Sequence, residues 1–287
     1  MYNVATIKKA LKYSIIFCAT AFTCSCDNSS ADKALSLYNQ AQDCYSKGEY
    51  NTSNILLDSL KRNYIDDIEL LKKGLHLRTL NQEGLIKDEI YRNDSLLSVL
   101  ENDIQELSGK FKYVKHKDMV EGYYIHRSIA DNAGNDNRIT IEPRIDEEDL
   151  FFIVSYLKGQ DIKHTSVKLS SNNGTVTTSN VSYDGASNYR YKSDGIAYES
   201  ITFTNNQCDT LGYFVTNNQN NSIKLFFSGK KQHSVTLDKK TQKAISDTYR
   251  YATIKSQGKS AIKKKMFLEQ KLQLAQKQIE QTSELSK

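Results

Sequence analysis

The sequence predicts an α+β fold: helical segments at both ends of the chain flank a central antiparallel β-sandwich, and the long C-terminal helix pairs with the first long helix. Three observations carry this. Apolar residues recur at spacings of three and four over residues 33–109 and again over 238–287, the period of an α-helix. Over residues 110–237 the period switches to two, and Asn-Gly and Asp-Gly pairs punctuate the runs as they do in hairpins. The two helical ends also carry opposite charge. Residues 82–107 hold seven carboxylates against Lys87 and Arg92, whereas 238–287 hold eleven lysines and Arg250 against five carboxylates.

The chain opens with Lys8, Lys9 and Lys12, then a short apolar or small run from Tyr13 to Phe22. That pattern predicts a signal peptide over residues 1–25. The run is about half the roughly 20 apolar residues a membrane-spanning helix needs. Thr23-Cys24-Ser25-Cys26 resembles the lipobox of bacterial lipoproteins, with small Ser25 ahead of the acceptor, although Thr23 stands where leucine is usual. Cys26 is therefore the expected lipid attachment site and the membrane the first expected partner. The alternative is an ordinary cleaved signal. Residues 26–32 read as the lipidated cysteine and a polar tether. Cleavage removes three lysines and leaves 36 basic against 34 acidic residues, so the chain carries no basic excess of the kind nucleic acid requires. Of five cysteines only Cys44 and Cys208 remain. They are expected to be two unpaired thiols, Cys44 on a helix and Cys208 in a β-turn, with a disulfide as the alternative.

Within 33–109 the first elements form a helical hairpin: Ala34, Leu37, Ala41 and Cys44 precede Gly48, and Leu57 and Leu60 follow it. Leu37, Ala41, Gly48, Tyr50, Leu57 and Leu60 fall where a tetratricopeptide unit places its packing residues. Such units need about three repeats to bury a continuous core, and one is recognisable. Next come a helix over 65–80 and a longer one over 82–107, where Ile86, Ile90, Asn93, Leu97, Leu100, Ile104 and Leu107 make a heptad seam with one polar position. In the C-terminal segment Leu268, Leu272, Ala275 and Ile279 make the answering seam, which begins weakly at Tyr251 and Ile254. Lys263-Lys264-Lys265 face either the acidic helix or an anionic surface.

In the β region, strands are predicted at 121–127, 138–142, 150–157, 165–169, 175–183, 188–192, 196–204, 211–216, 223–228 and 233–237. Turns are expected at Asn173-Gly174, Asp194-Gly195, 217–221 and Ser228-Gly229, and Pro143 at a strand end.

No phosphate-binding glycine loop, metal-ligand spacing or nucleophile motif occurs, so no catalytic residue, metal or cofactor is assigned and the expectation is a protein that is not an enzyme. His76, His116, His126, His164 and His233 are dispersed. His164, beside Thr165 and Ser166, is the one around which an enzyme alternative would be built, against a polar strand-end histidine. Asp146-Glu147-Glu148-Asp149 suits a solvated turn better than a calcium site, because it lacks the alternating acidic spacing. Tyr189, Tyr191 and Tyr198, with His164, form a ligand face, or else the tyrosines, on alternate strand positions, are part of the sandwich packing.

The export segment with Cys26, the helical hairpin, Lys163-His164-Thr165-Ser166-Val167-Lys168, and Asn188-Tyr189-Arg190-Tyr191 before Asp194-Gly195 together resemble a lipoprotein family of the Bacteroidota. The resemblance implies a cell-envelope location, as an outer-membrane lipoprotein on the periplasmic face or the cell surface, and brings no assigned activity. The expected function is a non-catalytic module that binds or scaffolds a protein partner. The alternative is a glycan-binding lipoprotein that uses the tyrosine-rich face.

Overall fold

The computed structural model describes residues 30–115, 117 and 120–286. The predicted signal peptide, Cys26 and His116 lie outside the described residues. The elements are α1 (Ser30–Ser46), α2 (Tyr50–Asn63), α3 (Ile68–Ser108), β1 (Phe111–Val114), β2 (Tyr123–His126), β3 (Ile139–Ile145), β4 (Phe151–Lys158), β5 (Ser166–Ser171), β6 (Gly174–Thr177), β7 (Asn188–Ser193), β8 (Ile196–Phe203), α4 (Asn206–Asn217), β9 (Ile223–Ser228), β10 (Gln232–Leu237) and α5 (Lys239–Leu285). The class is α+β as expected. Helix α1 begins inside the segment expected to be tether, and the two helices expected over 65–80 and 82–107 are one. The chain divides into two compact units, one running to Gly84 with Ala275–Lys287 added, the other Leu85–Leu274.

In the first unit, Ala34, Ala41, Leu57, Leu60, Leu70 and Leu77 form the core. Helix α1 stops where Gly48 adopts φ +76°. The N–H of Gly48 then reaches the carbonyl of Tyr45 at 2.9 Å and that of Glu49 the carbonyl of Cys44 at 2.8 Å, satisfying orphan helix carbonyls. Ser53 is buried and accepts a 2.8 Å hydrogen bond from Asn81 Nδ2. The C-terminal end of α5 contributes Thr282, whose hydroxyl lies 3.0 Å from His76 Nδ1 and 3.1 Å from the Thr79 hydroxyl.

In the second unit the charged helices pair as their signs predict. Glu89 meets Lys264 at 2.8 Å, Asp94 meets Lys265 at 2.9 Å, and Asp103 lies 3.8 Å from Arg250. Leu100, Leu107, Tyr251, Ile254 and Ala261 are buried along this seam. Asn93 is buried with them and donates from Nδ2 to the Ala261 carbonyl at 2.9 Å. A polar seam residue with one defined partner fixes register, because any slip strands it.

Two antiparallel sheets follow, in the orders β1-β2-β3-β4-β8-β7 and β10-β9-β5-β6. Ile141, Ile153, Leu157, Ile201 and Phe203 from the first share one core with Val167, Leu169, Leu225 and Phe227 from the second. Period-two alternation turns the intervening residues of the first sheet, such as Val154, Tyr156, Tyr198 and Ser200, to its outer face.

Several expected strands differ. Residues 211–216 are helical: Cys208, Leu211, Gly212 and Val215 recur at helical spacing and bury one face of α4, so Cys208 sits in a helix and not in a turn. Cys44 and Cys208 are free thiols. The strand expected over 175–183 ends at Thr177, since Thr178 turns inward to receive the Val167 N–H. Strand β1 and a 3₁₀ segment, Arg127–Asn132, were not expected. Pro143 lies inside β3, where β2 pairs only at Tyr124 with Ile145, so its missing N–H faces no neighbour on that side. The tight turns sit at Asp194-Gly195, with φ +49° and +76°, and one residue earlier than expected at Asn172-Asn173, between Ser171 and Gly174.

Candidate functional site

Strand β8 has two chemically different faces. Ala197, Glu199 and Ile201 point into the shared core, whereas Tyr198, Ser200 and Thr202 point outward. The core of the sandwich therefore receives a carboxylate, and it is not left alone. His164, in the loop before β5, places Nδ1 2.7 Å from Glu199 Oε2, and its Nε2 lies 2.9 Å from the Ser155 hydroxyl of β4. The backbone N–H groups of Lys163 and His164 also donate to Glu199, each at 2.7 Å.

Burial alone would raise the Glu199 pKa, but the imidazole and the two amides together hold it below the usual carboxylate range. Glu199 holds the Nδ1 side of the ring, and Nε2 is the nitrogen turned to the Ser155 hydroxyl. Hydroxyl, imidazole and carboxylate thus stand in the order used by serine hydrolases. Ser155 and His164 are both 0 % exposed and Glu199 3 %. A nucleophile must meet its substrate, and this hydroxyl faces packed core. In this conformation the network instead ties the 162–165 loop to the sheet.

His164, expected as a polar strand-end histidine, does lie two residues before β5, but it is buried and bonded on both ring nitrogens. Ser155 and Glu199 are partners that sequence reasoning did not single out. Their one signal is parity: each is a polar residue at an inward position of a buried strand, between Ile153 and Leu157 and between Ala197 and Ile201.

The inward side of edge strand β7 fastens to the same loop. Arg190 Nη2 donates to the His164 carbonyl at 3.0 Å, and Asn188 Nδ2 donates to the Val181 carbonyl at 2.8 Å. The outward side carries the predicted tyrosines. Tyr191 and Tyr198 face each other across β7 and β8, rings stacked with centroids 4.8 Å apart and planes within 7°. Tyr189 follows at 5.8 Å, tilted by 39°. Tyr191 donates its hydroxyl to Asp136 at 2.6 Å, and that bond first, with burial second, pushes the phenol up to about 12. Tyr189 remains 47 % exposed and Tyr191 37 %. The sequence-predicted face therefore exists as three tyrosines together. His164 lies on the other side of the sheet.

Asp136 belongs to a segment anchored on the same outer face. Arg138 and Arg144 both engage buried Glu142, Arg144 donates to the Tyr156 hydroxyl at 2.6 Å, and Arg138 lies 4.9 Å above the Tyr156 ring. Burial, only partly opposed by Arg144, pushes Tyr156 up to about 12. Three of the carboxylates from Asp146 to Asp149 are engaged within the protein: Asp149 by Lys255 and Lys259, Glu147 by Tyr113 and the Gly122 N–H, and Asp146 by the N–H groups of Glu148 and Leu150. Among the described residues no group of three or more His, Cys, Asp or Glu side chains is disposed to hold a metal ion, and no helix is long and apolar enough to cross a membrane.

No protein-family model, curated protein or solved structure matches this chain.

Proposed function

We propose that the protein is a lipid-tethered module of the bacterial cell envelope, anchored through Cys26, which binds a protein partner through the Tyr189–Tyr191–Tyr198 ridge and carries out no chemistry of its own. The single observation behind the binding role is that two exposed tyrosines of edge strand β7, Tyr189 and Tyr191, line up with half-buried Tyr198 of β8, while the reverse side of β7 is pinned by Arg190 and Asn188. Rigid tyrosines lose little side-chain entropy on association and offer both apolar area and a hydroxyl, which is why they concentrate in protein interfaces. Tyr191 and Tyr198 turn one ring face on each other. That arrangement presents ring edges and hydroxyls more than an open platform for a sugar ring, and it favours a protein over a glycan. The export pattern and Ser25-Cys26 support the anchor, since two or more acyl chains bind a bilayer stably.

Crosslinking in intact envelopes tests both parts. Crosslinks from Lys158, which pairs with Tyr198 on the outward face of β4 and β8, to one partner in fixed ratio are expected, and Tyr191→Ala with Tyr198→Ala should abolish them without unfolding the chain. Retention of those crosslinks in the double variant, or a glycan-array signal that it loses, would replace the protein partner. Cys26→Ala should release the chain from membranes, and unchanged fractionation would refute the anchor.

A further inference from the structure

On the inward side of β7 lies a shallow depression, walled by the 162–165 loop and the β9–β10 turn, where Lys163, Arg190 and Lys230 converge. Their convergence is built by the backbone. Lys163 adopts φ +56°, a left-handed conformation that side chains other than glycine rarely occupy. The β9–β10 turn is drawn against the loop by Lys230 N–H donating to the Ile162 carbonyl at 2.7 Å and Thr165 N–H donating to the Ser228 carbonyl at 2.8 Å. Gly229 is what permits this approach: a Cβ there would stand 2.5 Å from the carbonyl oxygens of both Ile162 and Lys163. The two lysines thereby line one depression together with Arg190, which lies over the Tyr183 ring at 5.3 Å.

Like charges brought together without a counter-charge repel. Among the described residues none of the three cations has a carboxylate within ion-pair distance. The nearby candidates are already committed: Asp161 to Lys192 at 2.6 Å, and Glu199 to His164 and the two loop amides. Arg190 uses Nη2 on the His164 carbonyl, while its Nε has no partner. Thr165, Ser166 and Ser182 add hydroxyls to the lining. A strained lysine, a glycine-dependent backbone contact and three cations with no direct ion pair, Lys163 and Lys230 feeling Asp161 only across space, are the makings of an anion receptor among hydroxyls, in which guanidinium and ammonium groups donate charge-assisted hydrogen bonds.

We infer that this depression binds a phosphate-type oxyanion, either free or as the phosphodiester of a lipid headgroup. The site lies across the sheet from the tyrosine ridge and stands independently of the proposed protein partner. The test uses the full chain bearing Cys26→Ala, so that no acyl chain contributes to membrane binding. Inorganic phosphate is titrated by calorimetry, and co-sedimentation is measured with vesicles of phosphatidylglycerol and of phosphatidylcholine.

Saturable phosphate binding, weakened about tenfold or more by Lys163→Gln with Lys230→Gln, is the expected result, a loss corresponding to two charge-assisted contacts. Both lysines are exposed, so the melting temperature of the double variant should match that of the parent. Selective sedimentation with phosphatidylglycerol that the double variant loses, with or without phosphate binding, also supports the site and names the headgroup as its source. Absence of both interactions, or either one persisting undiminished in the double variant, overturns the inference.

Discussion

Asp247 ties helix α5 to the first sheet, and neutralising it yields a pH-dependent loss of stability whose size follows from its surroundings. His126 Nε2 lies 3.3 Å from Asp247 Oδ2, an ion-pair distance, with Lys243 at 3.2 Å and Lys110 at 3.6 Å. His126 first, against a burial penalty and then with the two lysines, brings the carboxyl from 3.8 down to about 2. At about 1.4 kcal/mol per pKa unit, the ionised form adds about 2 kcal/mol to folding. Because the folded carboxyl is the stronger acid, this contribution is complete above the unfolded pKa and drains away as pH falls through the folded one. About half should survive at pH 3. Asp247→Asn keeps the shape and removes the charge. Urea unfolding should therefore show the variant about 2 kcal/mol less stable at pH 7, and about 1 kcal/mol less stable at pH 3. An equal deficit at both values would mean that packing, and not charge, is lost, and no deficit at pH 7 would refute the linkage altogether.

Replacing Glu199 by Gln should cost about 3 kcal/mol, since a buried carboxylate accepting three N–H groups becomes an amide that cannot accept them all. Hydrogen exchange at 162–165 and 188–193 should accelerate with it, and a stability change without that local signature would separate the network from the edge strand. Gly229→Ala should cost about 2 kcal/mol through the clash with the Ile162 and Lys163 carbonyls. A loss of only a few tenths would show that the turn and the loop are not held in contact. Asn93→Leu is expected to keep or raise stability by about 1 kcal/mol while loosening helix register, visible as mixed species in light scattering. A large destabilisation would mean that the bond to the Ala261 carbonyl carries the seam.

Much of the fold was legible because it depends on local pattern. The heptad seam from Ile86 to Leu107, the charge opposition between the long helices and the Asp194-Gly195 turn were all visible in the chain, and all are found in place. Helix α4 was not legible as a helix. Leu211, Tyr213 and Val215 alternate like a strand, while Cys208, Leu211 and Val215 also satisfy a helical period, and in so short a segment only packing decides between them. That Tyr189 and Tyr191 share a face was legible for a related reason. Alternate positions on one strand share a face by geometry alone, so Tyr189 and Tyr191 had to lie together once β7 was a strand.

What the chain could not disclose is which residues meet across the sheets. Ser155, His164 and Glu199 come from β4, a loop and β8, and their meeting follows from strand order and register. The same holds for Lys163, Arg190 and Lys230, which converge only because β5 pairs with β9 and because Gly229 admits a backbone contact. Local sequence by itself determined the class, the helix seam and the shared face of Tyr189 and Tyr191, since each depends on periods of two or 3.6 along one segment, whereas only sheet packing turned that face outward. The buried network and the cationic depression were decided by tertiary structure alone, because each joins residues that become neighbours only after the sheets have paired.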